Sequence, residues 1–395
     1  MIRLRQAQPD NYISRLFFHL TPTINIAALV PYQVYPAKMG GQKGIALFYQ
    51  YLSKLLPITM ISTKNNAFPK ESNMSFLPLL SNSRSRYINP FLFFSLKKVI
   101  QKKGLTHLII EHPYYGWLGM LLKWSCNIKL VLHSHNIESL RFKSTGKWWW
   151  QILFQYEKQV HRKADINFFI TDEDRSYAIN KFKLDPSKCH TITYGFELDK
   201  IPAPEERDAA KTALQRIYHI DPSEKIFFFN GTLDYKPNMD AVNIILNELN
   251  PGLLQNTSFK YKIIICGKNL PESYNELKAY QSRHIIYAGF VDDISTYFKG
   301  ADCFLNPMTD GGGIKTKLVE ALGYNLSCIS TRNGAIGVSP AITGNKLTIL
   351  QNGDWGNFTN AIFEADTSEN IPALFFDHFY WGNIAEKAAG ILDPS

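Results

Sequence analysis

The chain of 395 residues is 45% hydrophobic and 19% charged, and its formal net charge is +9. This composition excludes a mostly disordered chain, and the length suits two domains of ordinary size. The five cysteines include no Cys-x-x-Cys pair, which argues against a disulfide framework and for a reducing, cytoplasmic compartment. No apolar run reaches the roughly 18 residues that a membrane-spanning helix needs.

Residues 1–23 are basic, and polar residues interrupt their apolar part. We expect an extension outside the fold rather than a signal peptide. From residue 24 onward, short apolar runs alternate with helical segments, the first of which is 43–56. The predicted strands of this half are 24–30, 58–62, 106–112, 128–135, 165–171 and 190–195. Such alternation predicts a parallel sheet with helices on both faces.

Residues 196–210 are polar, contain two prolines and are predicted to be a linker. The alternation then restarts. The predicted strands of this half are 225–231, 261–267, 284–289, 302–307, 326–331 and 346–350. The sequence therefore predicts two doubly wound α/β domains, an N-terminal one at 24–200 and a C-terminal one at 201–376. The last segment, 377–395, contains an amphipathic helix that suits packing on either domain.

The most informative stretch is "NPMTDGGGIKTKLVEALG" at 306–323. Three consecutive glycines are poor in helices and strands, but they suit a tight turn or a close approach to the backbone. Leu318, Ala321 and Leu322 then recur at helical spacing. The glycines thus precede a helix N-terminus, where free N–H groups and the helix dipole favour an anion such as phosphate. A plain turn is the alternative.

Other glycines and basic residues follow predicted strands. Gly231 ends one strand, with Lys236 five residues further on, and Gly267 ends another. The N-terminal domain adds "MGGQKG" at 39–44 and "HSHNIE" at 133–138. Ligands of open parallel sheets bind beyond the carboxyl ends of the strands. These residues therefore suit a phosphorylated ligand held between the two domains.

The order and spacing of these pieces resemble those of family 4 glycosyltransferases, which have the GT-B fold of two Rossmann-like domains facing across a cleft. The segments that carry the resemblance are "MGGQKG" (39–44), "HNIESLR" (135–141), "NGTLDYKPNMDAV" (230–242), "GFVDDI" (289–294) and "GGGIKTKLVEALGYN" (311–325). The resemblance implies transfer of a sugar from a nucleotide-sugar donor, bound mainly by the C-terminal domain, to an acceptor bound mainly by the N-terminal one. It also implies a retaining hexosyltransferase that needs no metal or other cofactor.

The resemblance assigns roles to individual residues. Glu320 matches the carboxylate that accepts hydrogen bonds from the ribose hydroxyls, and His135 matches the active-site histidine. Lys236, Lys315 or Lys317 is expected to neutralise the leaving nucleoside diphosphate, with Lys236 as the catalytic candidate. The other expected donor contacts are Gly40, Gly41, Gly231, Thr232, Gly267, Phe290, Val291, Gly311, Gly312, Gly313 and Ile314.

One departure from the family pattern concerns the sugar end of the site. Many relatives carry a second Glu eight residues before the ribose Glu, where this chain has Gly312. Asp310 is the nearest carboxylate, and we expect it to contact the sugar as a catalytic residue instead. Because glycines flank position 312 on both sides, we expect no room for a side chain there, and we expect Gly312→Glu to block the donor.

Three features are interpreted as structural. His133 alternates with His135 along a strand and is expected to face the other side of the sheet. The segment "TDEDR" (171–175) contains an Asp-x-Asp pair of the kind that binds metals, but its Thr or first Asp suits a helix cap. The segment "VDDI" (291–294) has the same form.

Residues 141–163, "RFKSTGKWWWQILFQYEKQVHRK", concentrate positive charge around three tryptophans. Two interpretations remain open: peripheral contact with the anionic inner face of the cell membrane, or a solvated basic face over a core helix. The first favours a lipid-linked saccharide as acceptor, and a growing bacterial polysaccharide is the other candidate. No nucleic-acid motif occurs, so nucleic acid is not an expected partner.

Two rival functions fit the same segments. A sugar-nucleotide epimerase of the same fold would need acid and base groups near the sugar C2, and the sequence singles out no such set. A nucleotide-sugar-binding protein without transfer activity would fit the glycine at position 312. A dinucleotide-dependent oxidoreductase is not expected, because no strand is followed by Gly-x-Gly-x-x-Gly with an acidic residue about 20 positions later.

Overall fold

A computed structural model describes residues 24–37, 40–365 and 368–393. The expected extension at 1–23 lies outside the described residues. Two sheets with exclusively parallel strand pairs form the framework, and helices cover both faces of each. This confirms the predicted fold class of two doubly wound α/β domains.

The sheet of the N-terminal domain has seven strands in the order β3-β2-β1-β4-β5-β6-β7. The strands are β1 (Ile26–Leu29), β2 (Ile58–Thr63), β3 (Ser75–Leu80), β4 (His107–Glu111), β5 (Lys129–Ser134), β6 (Ile166–Phe169) and β7 (Cys189–Thr191). Sequence patterns missed β3, which contains Pro78. As an edge strand it tolerates the missing N–H.

Within the described residues, six α-helices connect these strands. They are α1 (Gly40–Leu52), α2 (Phe91–Lys103), α3 (Gly116–Cys126), α4 (Glu138–Ser144), α5 (Trp150–Lys163) and α6 (Asp172–Tyr177). On one face of the sheet, α2, α3 and α5 bury their apolar sides against β1, β4 and β5 in one continuous core. Helix α1 packs on the opposite face.

The sheet of the C-terminal domain has six strands in the order β10-β9-β8-β11-β12-β13. The strands are β8 (Lys225–Asn230), β9 (Tyr261–Cys266), β10 (Ile285–Gly289), β11 (Cys303–Asn306), β12 (Ser327–Thr331) and β13 (Leu347–Leu350). All six lie where the apolar runs predict them. The helices are α7 (Pro204–Tyr218), α8 (Lys236–Ile244), α9 (Asn250–Leu254), α10 (Ile294–Gly300), α11 (Thr316–Gly323), α12 (Pro340–Thr343) and α13 (Trp355–Phe363).

The end of the described chain crosses back to the N-terminal domain. The single helix predicted at 377–392 is two helices, α14 (Ala373–Phe379) and α15 (Trp381–Leu392). At the break between them, the N–H of Phe196 donates to the carbonyl oxygen of Phe379 at 2.5 Å, and the N–H of Trp381 donates to that of Phe196 at 3.1 Å. Helix α15 then packs against α1. The segment 196–210 is only partly a linker, because α7 begins within it.

Candidate active site

The glycine loop of the C-terminal domain touches the end of β5 across the cleft. Gly313 has a φ of +68°, and a Cβ built on it would lie 2.5 Å from Asn136 Oδ1 and 3.4 Å from the carbonyl oxygen of His135. Both the positive φ and the lack of space for a Cβ require glycine at this position. The third glycine therefore lies where the two domains meet, directly beside His135.

The other two glycines differ from each other. Gly311 has a φ of +92°, which favours glycine. Gly312 has no positive φ, and the nearest atom to a Cβ built there is Asn136 Oδ1 at 3.7 Å, an ordinary contact distance. The expectation that position 312 has no room for a side chain is therefore wrong. The positive φ angles are those of its two neighbours, Gly311 and Gly313.

Two partly buried lysines follow the glycines. The Nζ of Lys315 donates to the carbonyl oxygens of the first and third glycines at 2.7 and 3.0 Å. The Nζ of Lys317 lies 3.3 Å from Asn238 Oδ1 and would be 2.8 Å from a Cβ on Gly231. Burial lowers the pKa of each lysine to about 8. An anionic ligand would favour the charged form of both.

Helix α11 begins at Thr316, three residues beyond Gly313. Its N-cap residue is Lys315, whose side chain makes no capping hydrogen bond. The first N–H groups of a helix lack intrahelical acceptors, and the helix dipole favours an anion near them. This end of α11 is therefore suited to a phosphate or diphosphate.

Glu320 faces the N-terminal domain rather than bulk water. Its side chain is 16% exposed, and Oε1 lies 3.1 Å from the Nζ of Lys43 on α1. The hydroxyl of Tyr194 donates to the same oxygen at 3.4 Å. Lys43 also pairs with Glu197 at 3.2 Å. Sequence reasoning missed Lys43, although it lies within the quoted segment "MGGQKG".

The expected glycines of the N-terminal domain lie at the start of α1. A Cβ on Gly40 would lie 2.8 Å from Thr316 Oγ1, whereas Gly41 has open space around it. The first turn of α1 thus abuts the first turn of α11. The cleft is bordered by one helix N-terminus from each domain.

Five further expected contacts lie along the ends of β8, β9 and β10. A Cβ on Gly267 would lie 2.0 Å from the carbonyl oxygen of Gly231, so the backbones of these two strand ends touch. Thr232 is half-buried beside them. Phe290 is 71% exposed, while Val291 packs partly against the core. These residues form the outer rim of the site.

Two of the side chains predicted to be catalytic, Lys236 and Asp310, do not contact His135 in the structure. Lys236 opens α8, its side chain is 77% exposed, and its Nζ pairs with Asp240 at 2.5 Å. Asp310 is exposed, and its Oδ1 accepts the N–H of Gly311 at 2.6 Å. Ile314 lies between the domains, near a Cβ position on Gly337.

His135 is held by a buried carboxylate that sequence reasoning missed. Glu111, the last residue of β4, is fully buried; its Oε2 lies 2.5 Å from His135 Nε2 and its Oε1 lies 3.0 Å from His133 Nδ1. Tyr49 donates to Oε1 at 2.5 Å. Although burial opposes ionisation, the two histidines hold the pKa of Glu111 well below its usual range. His133 and His135 therefore share one carboxylate instead of facing opposite sides of the sheet.

The same three side chains form a group whose composition suits a metal ion. Their geometry fits hydrogen bonds better. Ligands of a tetrahedral zinc ion at about 2.0–2.1 Å lie more than about 3 Å apart, whereas His135 Nε2 and Glu111 Oε2 are 2.5 Å apart. The expectation of a metal-independent enzyme stays a prediction.

A second buried network lies beside His135. The Nδ1 of His112 is 3.1 Å from Glu138 Oε1, and its ring lies 4.7 Å from the ring of His135. Arg141 and Tyr114 donate to Glu138 Oε2. Burial raises the pKa of Glu138, but hydrogen bonds from His112 and Arg141 outweigh it and lower the pKa to about 2. The buried carboxylate of Glu138 thus fixes the side chains of His112, Tyr114 and Arg141 beside His135.

The two acidic segments interpreted as caps have that role. Thr171 accepts the N–H of Asp174 at 3.1 Å at the start of α6. Asp293 accepts the N–H of Ser295 at 3.0 Å at the start of α10.

Two family patterns match the chain in tandem. The family described as "Glycosyltransferase Family 4" matches residues 43–200, and the family described as "Glycosyl transferases group 1" matches residues 224–365. One pattern thus falls on each domain.

Individual proteins agree with these matches. Over 273 residues the chain is 24% identical to the Escherichia coli UDP-Gal:alpha-D-GlcNAc-diphosphoundecaprenol alpha-1,3-galactosyltransferase, and the alignment spans 66% of each chain, just under two thirds of that relative. A sucrose-phosphate synthase from Thermosynechococcus elongatus superposes with a TM-score of 0.70 at 14% identity, covering 93% of this chain and 98% of that one. Anabaena HepE in complex with UDP superposes with a TM-score of 0.69 at 13% identity, covering 94% of this chain and 100% of that one. At these identities the structural likeness establishes the fold.

Proposed function

This chain belongs to glycosyltransferase family 4 and has the GT-B fold, and we propose that it transfers a hexose from a UDP-linked donor to a lipid-linked saccharide in bacterial glycan synthesis. The name of the Escherichia coli relative gives UDP-Gal as donor and a diphosphoundecaprenol-linked sugar as acceptor. HepE was solved with UDP. These two proteins support the proposed nucleotide and acceptor class.

The proposal rests mainly on three features of the segment 311–317. Its backbone turns against His135, its two lysines are partly buried, and helix α11, which begins within it at Thr316, has no side-chain cap. Cations and free N–H groups at one point suit a diphosphate between the domains.

Charge then determines the chemistry. As the bond between the anomeric carbon and the diphosphate oxygen breaks, negative charge grows on the leaving nucleoside diphosphate. The acceptor hydroxyl oxygen forms the new bond to the anomeric carbon, and its proton passes to the leaving diphosphate. Lys315 and Lys317 are proposed to stabilise that charge, which is the role a divalent metal has in metal-dependent transferases. Lys236 is proposed as a third contributor, which would exchange its exposed ion pair with Asp240 for the diphosphate. Retention of the anomeric configuration is an expectation from the family.

The remaining residues position the two substrates. Glu320 is proposed to accept hydrogen bonds from the ribose diol through its two oxygens, exchanging the ammonium of Lys43 for the hydroxyls. Glu111 fixes the ring of His135 beside the glycine loop, where the imidazole would meet the transferring sugar. The side chain of Asp310, which directly precedes the three glycines, is proposed to turn toward the sugar.

A thermal-shift screen against UDP, GDP and their sugars tests the donor. A ligand at 100 times its dissociation constant stabilises the protein by about 2.7 kcal/mol. We expect UDP and one UDP-hexose to raise the melting temperature, without added metal. Stabilisation by GDP alone would contradict the uridine proposal. Interconversion of two UDP-sugars without release of UDP would identify an epimerase.

A further inference from the structure

One side chain of the N-terminal domain lies against the glycine loop across the cleft. Asn136 directly follows His135, and the hydroxyl of Ser134 donates to its backbone carbonyl oxygen at 2.8 Å. Its Oδ1 is the nearest atom to a Cβ built on Gly312, at 3.7 Å, and to one built on Gly313, at 2.5 Å. The amide of Asn136 therefore faces the second and third glycines.

The amide group of Asn136 has no hydrogen-bond partner among the described residues, although the side chain is half-buried. An asparagine amide has two N–H donors and an acceptor oxygen, and polar groups removed from bulk water are usually paired. The neighbouring polar side chains are already engaged, since His135 is bonded to Glu111 and Lys315 to the carbonyl oxygens of the loop. Asn136 thus keeps its full hydrogen-bonding capacity for a ligand.

The sugar of a bound donor belongs at this contact. The diphosphate is proposed to lie at the start of α11, and the ribose is proposed to bind Glu320, about one turn further along that helix. The sugar is attached to the other end of the diphosphate, away from the ribose. It therefore lies beyond the helix N-terminus, where Asn136 and His135 meet Gly313.

The loop itself offers few side chains to that sugar. Gly312 has none, and the space around its Cβ position is open apart from Asn136. Oδ1 of the preceding Asp310 accepts the N–H of Gly311 at 2.6 Å, and the side chain of Asp310 is exposed. The space beside Gly312 is therefore bordered by an amide from the opposite domain. A neutral amide suits it, because it can donate to and accept from hydroxyl groups without repelling the adjacent diphosphate.

We propose that Asn136 recognises the transferred sugar and determines which hexose is accepted. Its amide hydrogen-bonds a hydroxyl group of the sugar in the space beside Gly312, while Glu111 holds His135 next to it. Epimeric hexoses differ in the direction of one hydroxyl, so an amide placed against the loop bonds one epimer and is left unpaired by the other. This role rests on the proposed transferase function, to which it adds a specificity residue from the N-terminal domain.

Calorimetric titration of the full chain tests the role, with UDP and with a panel of UDP-hexoses that differ at single carbons. Asn136→Ala should bind UDP within about twofold of the wild type, because UDP carries no sugar beyond its diphosphate. Its affinity for the UDP-hexose that the wild type prefers should fall roughly five- to tenfold, the effect of one hydrogen bond. The preference for that hexose over its epimers should shrink by a similar factor.

Two further variants accompany the alanine variant. Asn136→Ser, which has a shorter polar side chain, should show the same pattern, and it carries the test if the alanine variant does not fold. Asn180→Ala is the matched control, because Asn180 is exposed and donates to the carbonyl oxygen of Ser176 in its own turn. It should bind every ligand as the wild type does. Thermal melts show which variants are folded.

The possible results separate recognition from a structural contact. Equal losses of affinity for UDP and for every UDP-hexose would show that Asn136 only shapes the glycine loop, and would overturn the proposal. Unchanged affinities with an unchanged preference would overturn it as well. A wild-type chain that binds no UDP-hexose would instead contradict the proposed function itself, and the role of Asn136 would fall with it.

Discussion

The three glycines of the loop should respond differently to the same added methyl group. Gly312 has an ordinary φ and no atom nearer than 3.7 Å to a Cβ position, so Gly312→Ala should change stability by less than about 1 kcal/mol. Gly313 has a φ of +68° and would place a Cβ 2.5 Å from Asn136 Oδ1. Left-handed backbone costs a non-glycine residue about 1–2 kcal/mol, and displacement of Asn136 adds to it.

A control in the same domain separates strain from crowding. Gly353 has a φ of +86° with nothing within 4 Å of a Cβ, so Gly353→Ala should show the backbone cost alone. Calorimetric melting should place Gly312→Ala near the wild type, Gly353→Ala lower by about 2–8 °C, and Gly313→Ala lowest of the three. If Gly313→Ala melts with Gly353→Ala, the contact between the glycine loop and Asn136 is not present in solution.

The same geometry changes the expected effect of Gly312→Glu. The backbone accepts a side chain at 312, so the variant should fold normally. Any loss of donor binding would then come from repulsion between the new carboxylate and the diphosphate, about 1–4 kcal/mol for charges about 4 Å apart near a protein surface. Calorimetric titration over a panel of nucleotide sugars checks this. Wild-type affinity and preference would show that position 312 lies away from the donor.

Three further predictions concern the charged residues of the site. Glu320→Gln should weaken donor binding by roughly 1–3 kcal/mol without unfolding the protein, and unchanged affinity in calorimetry would rule out the ribose role. Lys236→Ala should lower kcat more than donor affinity, whereas Lys317→Met should lower both; wild-type turnover of Lys236→Ala would mean that its side chain only faces solvent. Burial lowers the pKa of Lys317 to about 8, so its charge is present below that pH and is lost above it. Donor affinity should therefore fall between about pH 7 and pH 9, and the fall should be smaller in Lys317→Met; a pH-independent affinity would contradict this.

The strands and their parallel arrangement could be predicted because buried strands of α/β domains are short, continuous apolar runs. The edge strand β3 could not, because it is half-exposed and contains a proline. The break at Tyr380 could not be predicted either, because it coincides with hydrogen bonds to Phe196, a residue almost two hundred positions earlier in the chain.

The candidate site was predictable where a residue type is unusual for its element. Consecutive glycines before a helix indicated a ligand loop, but the pattern cannot show which of them has positive φ. Glu111 and Lys43 were missed for a different reason: each acts through a partner far along the chain, His135 and Glu320 respectively. A strand-end glutamate and a helix lysine have no distinguishing local pattern, so only the folded arrangement reveals them.

The most direct test of the central claim is a transfer assay. Purified chain is incubated with the UDP-hexose that stabilises it most and with a polyprenyl-diphosphate-linked N-acetylhexosamine, with EDTA present, and product is measured by mass spectrometry alongside UDP release. The account predicts a product heavier by one hexose, formed in step with UDP, and loss of both in Lys317→Met. Saturable binding of the nucleotide sugar with neither product nor UDP release, over a panel of lipid-linked and free saccharides, would contradict it and leave a binding protein.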